Sequence, residues 1–220
     1  MLSQVLRRDV EAYAERLRSS SRLLQRARAG ELQPAAVSTY LEGLRYLLGE
    51  SQALLTLAGR AAERTAAADL AAYYFQKANE ERGHDRWAAN DILSLSQRFS
   101  VNPRPGRSRA LSDLVKFLAE EIEAQPERFL AYQLLAEYIT VIVGPDWLDS
   151  LERHCGIERS CMSAVYNHVR LDEDHVDEDF AVIDVYVSAS SLSDLRNTIH
   201  RSTQYFDAFF DEVAECSVAA

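Results

Sequence analysis

His168, Asp172 and His175 are the residues of this chain whose types and spacing point most directly to chemistry. They stand in the run H-V-R-L-D-E-D-H. An α-helix advances about 100° per residue, so offsets of four and seven return almost to the starting angle, and the three side chains fall within an arc roughly 60° wide. Two imidazoles and one carboxylate converging in that way can bind a redox-active divalent metal. The alternative is a solvated acidic face that happens to carry two histidines, and the helical angles bear on it. With Val165 at zero, Val169, Val176, Phe180, Ile183 and Val187 fall between about 0° and 60°, an apolar stripe. His168, Asp172, His175 and Asp179 fall on its flank, between about 280° and 340°, while Asp174, Asp177 and Glu178 fall on the far side, where solvent belongs.

Two other segments place polar groups on apolar faces. In A-N-E-E-R-G-H-D-R-W, Glu81 and His84 are three residues apart and neighbours on a helix. Tyr74, Ala78, Ala88 and Ile92 share their stripe, so both should point inward, with Glu80 about 100° away and exposed. In R-F-L-A-Y-Q-L-L-A-E-Y-I-T-V-I-V, Glu137 shares a face with Leu130, Leu134, Tyr138 and Val141. Buried acids and imidazoles need partners. Singly, each case is met as well by a tyrosine, an arginine or the neighbouring imidazole as by a metal. Together, Glu81, His84, Glu137, His168, Asp172 and His175 make three carboxylates and three imidazoles, about the number that holds two iron ions with positions left open. The absence of cysteine from the set argues against structural zinc. His154 and His200 have no companion at ligand spacing and read as structural or surface residues.

The elements that must position these groups follow from composition and pattern. The chain has 220 residues, 47% of them hydrophobic, which suits one sizeable globular core. Only 8 glycines and 5 prolines interrupt it, so long helices with few turns are expected, an all-α domain spanning 1–220. About seven helices are predicted. The first covers about 3–28, the second runs from Pro34 to about Glu63, and the third from about Ala66 to Gln97. A loop F-S-V-N-P-R-P-G-R-S-R precedes a fourth over about 110–124. The fifth runs from about Pro126 to Val143 and stops at Gly144-Pro145, with a short helix to about Cys155. After Gly156 comes the helix bearing His168. The serine-rich stretch 188–193 then breaks the pattern, with Ser191 or Ser193 capping a final helix that ends near Cys216.

A formal net charge of −10 disfavours nucleic acid and anionic lipid surfaces. Three cysteines with no paired spacing suggest reduced thiols in a cytoplasm. No stretch reads as a signal peptide or a membrane span.

The ordered set, Glu-x2-His at 81–84, a lone helical Glu at 137 and His-x3-Asp-x2-His at 168–175, resembles the heme-oxygenase-like diiron oxidases and oxygenases. The resemblance implies a seven-helix fold shared with heme oxygenase and with the thiaminase-II and pyrroloquinoline-quinone-synthase proteins. It implies two iron ions and no heme, with Glu81, His84 and His168 favouring one ion and Glu137, Asp172 and His175 the other; the nitrogen and oxygen donors suit manganese as well. It implies O2 and a small substrate derived from an amino acid, an amine or a fatty acid; an external electron donor is compatible with this, and homodimers are common in the fold. Asp85 and Asp179, one turn beyond ligands, are candidates to accept from imidazole N–H groups. Tyr74, Phe75, Tyr132, Tyr138 and Tyr166 are candidates to line the substrate pocket, with ordinary core packing as the alternative for each. Heme oxygenase itself fits poorly, because its axial histidine comes from the first helix and the first histidine here is His84. The rival readings are a metal-free thiaminase-II-like hydrolase or cofactor-free oxidase of the same fold, and a non-catalytic binding protein.

Overall fold

The computed structural model describes residues 1–102 and 108–216. Among them the chain forms nine α-helices and no strand: α1 (Ser3–Ser20), α2 (Arg22–Arg28), α3 (Pro34–Arg64), α4 (Ala68–Glu80), α5 (Asp85–Phe99), α6 (Arg109–Ala124), α7 (Phe129–Cys155), α8 (Ser163–Tyr186) and α9 (Leu192–Cys216). Single 3₁₀ turns lead into α7, α8 and α9. The all-α expectation holds. Residues 103–107 of the expected loop lie outside the described residues. No described helix is long and apolar enough to cross a membrane, and all three cysteines are free thiols.

α7 packs along α8, and α3 along both α4 and α5; α6 and α9 close one side, and α1 and α2 lie against α7 and α9. One continuous apolar core draws on every helix. α3 and α7 both face the middle of the molecule but do not pack closely on one another, which leaves a cavity between them.

The helix count exceeds the expected seven because two of the predicted helices are broken. The first breaks at Ser21, whose backbone is extended at ψ 120°. Ser19 and Ser20 donate their hydroxyls to the carbonyls of Glu15 and Arg16, the local bonding by which serine competes with the helical ladder. The third breaks between Glu80 and Asp85, where Gly83 takes φ +88°, a left-handed turn that glycine adopts without steric cost. Conversely, α7 does not stop at Gly144-Pro145 but carries Pro145 inside it. Proline removes one backbone donor there, and Arg18 of α1 donates its guanidinium to the nearby Ile142 carbonyl while pairing with Asp146.

α8 has no capping side chain of its own at its start. Asp91 of α5 does that work from across the interface. Its Oδ1 accepts from the Ser163 hydroxyl at 2.6 Å and its Oδ2 from the Ala164 amide at 2.8 Å. Burial raises the Asp91 carboxyl above its ordinary value, against the pull of those donors. Asp91→Ala leaves two α8 donors unmet at a nearly inaccessible site and is expected to lower stability by about 1–3 kcal/mol in urea denaturation. A variant as stable as the parent would show that α8 needs no external cap.

Candidate metal centre

The break between α4 and α5 forms the first half of the site. Glu81 follows the last turn of α4, and the chain turns back through Gly83 so that the His84 amide donates to the Glu81 carbonyl at 3.3 Å. The two side chains meet, His84 Nδ1 to Glu81 Oε2, at 3.2 Å. The His84 ring stacks on Trp87 with centroids 4.1 Å apart and meets the edge of the His168 ring at 5.0 Å. One ligand atom from each of Glu81, His84 and His168 lies within 4.8 Å of the others.

His168 is held by its own helix. Its Nδ1 lies 2.7 Å from the Ala164 carbonyl. A carbonyl can only accept, so Nδ1 carries the proton and Nε2 presents a lone pair. That Nε2 is buried and has no hydrogen-bond partner. The residue that orients it, Ala164, is the one Asp91 secures. Burial opposes charge on Glu81, but the His84 contact and the nearby His168 and His175 imidazoles outweigh it and hold the carboxyl below its ordinary value.

Asp172, His175 and Glu137, the residues expected to hold a second ion, do not draw their ligand atoms into such a cluster among the described residues. Asp172 Oδ1 and His175 Nδ1 are 3.5 Å apart. This contact raises the His175 pKa against the effect of burial, while burial raises that of Asp172. Burial, then the Asp179 and Asp172 charges, push Glu137 well above the usual carboxylate range. Burial likewise carries Asp179 up to about 7. The Gln133 amide ties this group together, reaching the Tyr73 hydroxyl at 2.7 Å, Asp179 at 3.0 Å and Glu137 at 3.4 Å. Tyr73 in turn donates to Asp179 at 2.6 Å. Glu137 Oε2, Asp179 Oδ2, Glu80 Oε2 and His175 Nδ1 are buried without a hydrogen bond. A proton shared by Glu137 and Asp179 and the Lys77 ammonium beside Glu80 meet part of this need; the remainder is costly in a packed interior. It fits a site built for cations, and the nitrogen and oxygen donors suit iron or manganese.

The structure therefore brings Glu81, His84 and His168 into one cluster, with Asp172 and His175 within electrostatic reach of it and Glu137 within reach of Asp172 alone. Other expectations need correction. Asp179 does not back an imidazole: it accepts from Tyr73 and Gln133, and the carbonyl of Ala164 takes the His168 proton. Asp85 opens α5 half-buried, and no hydrogen bond joins it to a histidine among the described residues. Glu80 is not a solvent-facing neighbour. It lies 3.8 Å from His175 Nε2 and 3.5 Å from Lys77 Nζ, because α8 and the buried Lys77 one turn earlier meet that flank of α4.

Of the five aromatic candidates, Tyr132 lines the cavity. Tyr74 is fully buried in the core and donates to the Pro126 carbonyl at 2.7 Å. Phe75 fills the space that a side chain at Gly59 would need. Tyr138 turns outward to Glu11 and Arg7, and Tyr166 is exposed. His154 and His200 both lie on the surface.

Sequence reasoning missed Lys77, Tyr73, Gln133 and Trp87. Lys77 lies one turn before Glu81 and is buried at 2% exposure, with its ammonium 2.8 Å from Glu178. Its signal was available, since a lysine four residues before an inward glutamate shares that glutamate's face. Gln133 carried the same signal, four residues before the inward Glu137, whereas Tyr73 gave none, because its partners arrive from other helices.

No family model and no curated protein matches this sequence. Solved structures do. A domain of unknown function with a heme oxygenase-like fold from Shewanella denitrificans superposes with a TM-score of 0.82 at 18% identity, covering 96% of this chain and 91% of that one. A CADD-like protein of unknown function from Nostoc punctiforme superposes with a TM-score of 0.72 at 13% identity, covering 98% of this chain and 100% of that one. The chain has the heme-oxygenase-like fold.

Proposed function

We propose that this heme-oxygenase-like chain is an O2-dependent non-heme diiron oxidoreductase acting on a small substrate. The observation that carries the reading is the convergence of Glu81, His84 and His168, with the unpartnered His168 Nε2 and Glu137 Oε2 on residues at the wall of an apolar cavity. Glu81, His84 and His168 would hold one ion; Glu137, Asp172 and His175 would hold the other. When bound, a pair of ferrous ions supplies the electrons that reduce O2 and the Lewis acidity that activates it.

The protein's own share is positional and protonic. The Ala164 carbonyl fixes the His168 tautomer, so the lone pair is ready before any ion arrives. Trp87 keeps the His84 ring from turning. Tyr73 and Gln133 hold Asp179 beside Glu137, where the raised Glu137 carboxyl keeps a proton that must leave when a cation takes its place. The apolar lining keeps bulk water from the reacting position.

Anaerobic titration with ferrous iron followed by exposure to O2 tests the proposal. The expected result is two ions bound per chain and O2 uptake that depends on them. Absence of iron binding at both halves would retire it. Lys77 supports a second reading, because its buried ammonium already places one positive charge beside the Glu137 half. On that reading one ion binds, at Glu81, His84 and His168, and the titration stops at one per chain.

A further inference from the structure

The cavity between α3 and α7 encloses about 210 Å³. Its lining follows two helical stripes. Along α3, Tyr40, Leu44, Leu47, Leu48, Ser51 and Leu55 face it, at the three- and four-residue spacing of one helix face. Such a stripe normally packs on a partner helix; here it faces empty space, with α7 on the other side. From Tyr40 to Leu55 the stripe runs roughly 22 Å at the helical rise. Leu44, Leu47 and Leu48 are only half-buried, which puts the way in along the middle of α3. At the far end lie Trp147 of α7 and Leu17, Leu23 and Leu24 around the α1–α2 break.

The polar lining is equally specific. Glu81, Glu137, His168 and Asp172 are the only carboxylate, imidazole, ammonium or guanidinium groups on the wall among the described residues. No described lysine or arginine reaches it. A free amino acid would need separate partners for its ammonium and its carboxylate, and the cavity offers one charged cluster and otherwise hydrocarbon, aromatic rings, the Ser51 and Thr140 hydroxyls, three tyrosine phenols, the Gln133 amide and the Trp147 indole N–H.

We propose that the cavity takes a single unbranched aliphatic chain, its polar end at the Glu81–His168–Asp172 cluster and its tail running along α3 toward Trp147, Leu23 and Leu24. Leu47, between the cluster and the tail end, sets how far the chain can pass. The placement of the polar end rests on the function proposed above. Binding of the chain does not, since it comes from the apolar walls alone.

The test uses metal-free protein and a homologous series of n-alkanols, whose uncharged heads are not repelled by the carboxylates, followed by calorimetry. Affinity is expected to tighten about fourfold with each added methylene, then to level off when the tail meets the Leu23–Leu24 wall. In Leu47→Trp the levelling is expected at a shorter chain, with the shortest alkanols bound as in the parent. Circular dichroism shows whether that variant folds, and Leu44→Phe serves the same purpose if it does not. An affinity independent of chain length, or an unchanged limit in a folded Leu47→Trp or Leu44→Phe protein, overturns the proposal. Alkanol binding without any iron binding would retire the oxidase reading and leave this one standing. Iron binding with a flat alkanol series would do the reverse.

Discussion

In the His168→Ala protein, ferrous iron is expected to lose its tight site, with affinity falling by more than about 100-fold, while the helical content stays that of the parent. The size of the effect follows from what His168 supplies. Its Nε2 is the one imidazole nitrogen of the first cluster that is already buried, unpartnered and fixed in tautomer. Loss of a group that merely orients a ligand typically costs 10- to 100-fold in metal affinity, and loss of the ligand itself should cost more. Structure should survive because the side chain's one hydrogen bond lies within α8 and the imidazole joins no carboxylate by an ion pair. Removing an unmet buried acceptor also relieves a desolvation cost. Competition against a ferrous chelator under anaerobic conditions measures the affinity, and far-ultraviolet circular dichroism the fold. Parent-like iron binding in this variant would place the metal elsewhere or nowhere.

The metal-free protein is expected to become less stable as pH rises from about 5 to about 8, by on the order of 3 kcal/mol from Asp179. The sign comes from Asp179 and Glu137. An unfolded aspartate loses its proton near 3.9, whereas burial carries folded Asp179 up to about 7. Between those values the folded protein holds a proton that the unfolded chain does not. The stabilisation is therefore complete at low pH and is lost as pH rises through about 7. Glu137, raised in the same direction, adds to the slope. Glu81, held low by its imidazole neighbours, contributes with opposite sign, and its effect is complete at lower pH. A bound cation replaces the proton as the partner of these carboxylates, so metal-loaded protein should show a flat or rising profile over the same interval. Urea denaturation at several pH values, with and without ferrous iron under anaerobic conditions, measures both. Asp179→Asn should flatten the metal-free profile. A metal-free protein that gains stability between pH 5 and 8 would mean that these carboxylates are charged and satisfied without a metal.

The helices and their inward faces could be read directly from the chain. Low glycine and proline content and the 3.6-residue apolar period are local properties, so α3, α6, α8 and α9 lie close to where the pattern puts them. The angular argument on α8 also holds, because all its terms lie on one unbroken helix: His168, Asp172 and Asp179 are buried, and Asp174, Asp177 and Glu178 are not. The same argument failed for Glu80, since an angle on α4 says nothing of His175, which α8 brings against that flank. Periodicity also could not show that α7 continues through Pro145, beside which Arg18 of α1 reaches the Ile142 carbonyl.

What only the tertiary structure decided is which groups meet and which space stays empty. Asp91 capping α8, Gln133 joining Tyr73 to Asp179 and Glu137, and Lys77 resting between Glu80 and Glu178 each link separate helices. The identical apolar stripe on α3 could have been buried against a neighbour or, as here, have walled a cavity. A helix's sequence specifies its hydrophobic face by rotation about its own axis, but the distance to the opposing face is set by how all the helices pack together.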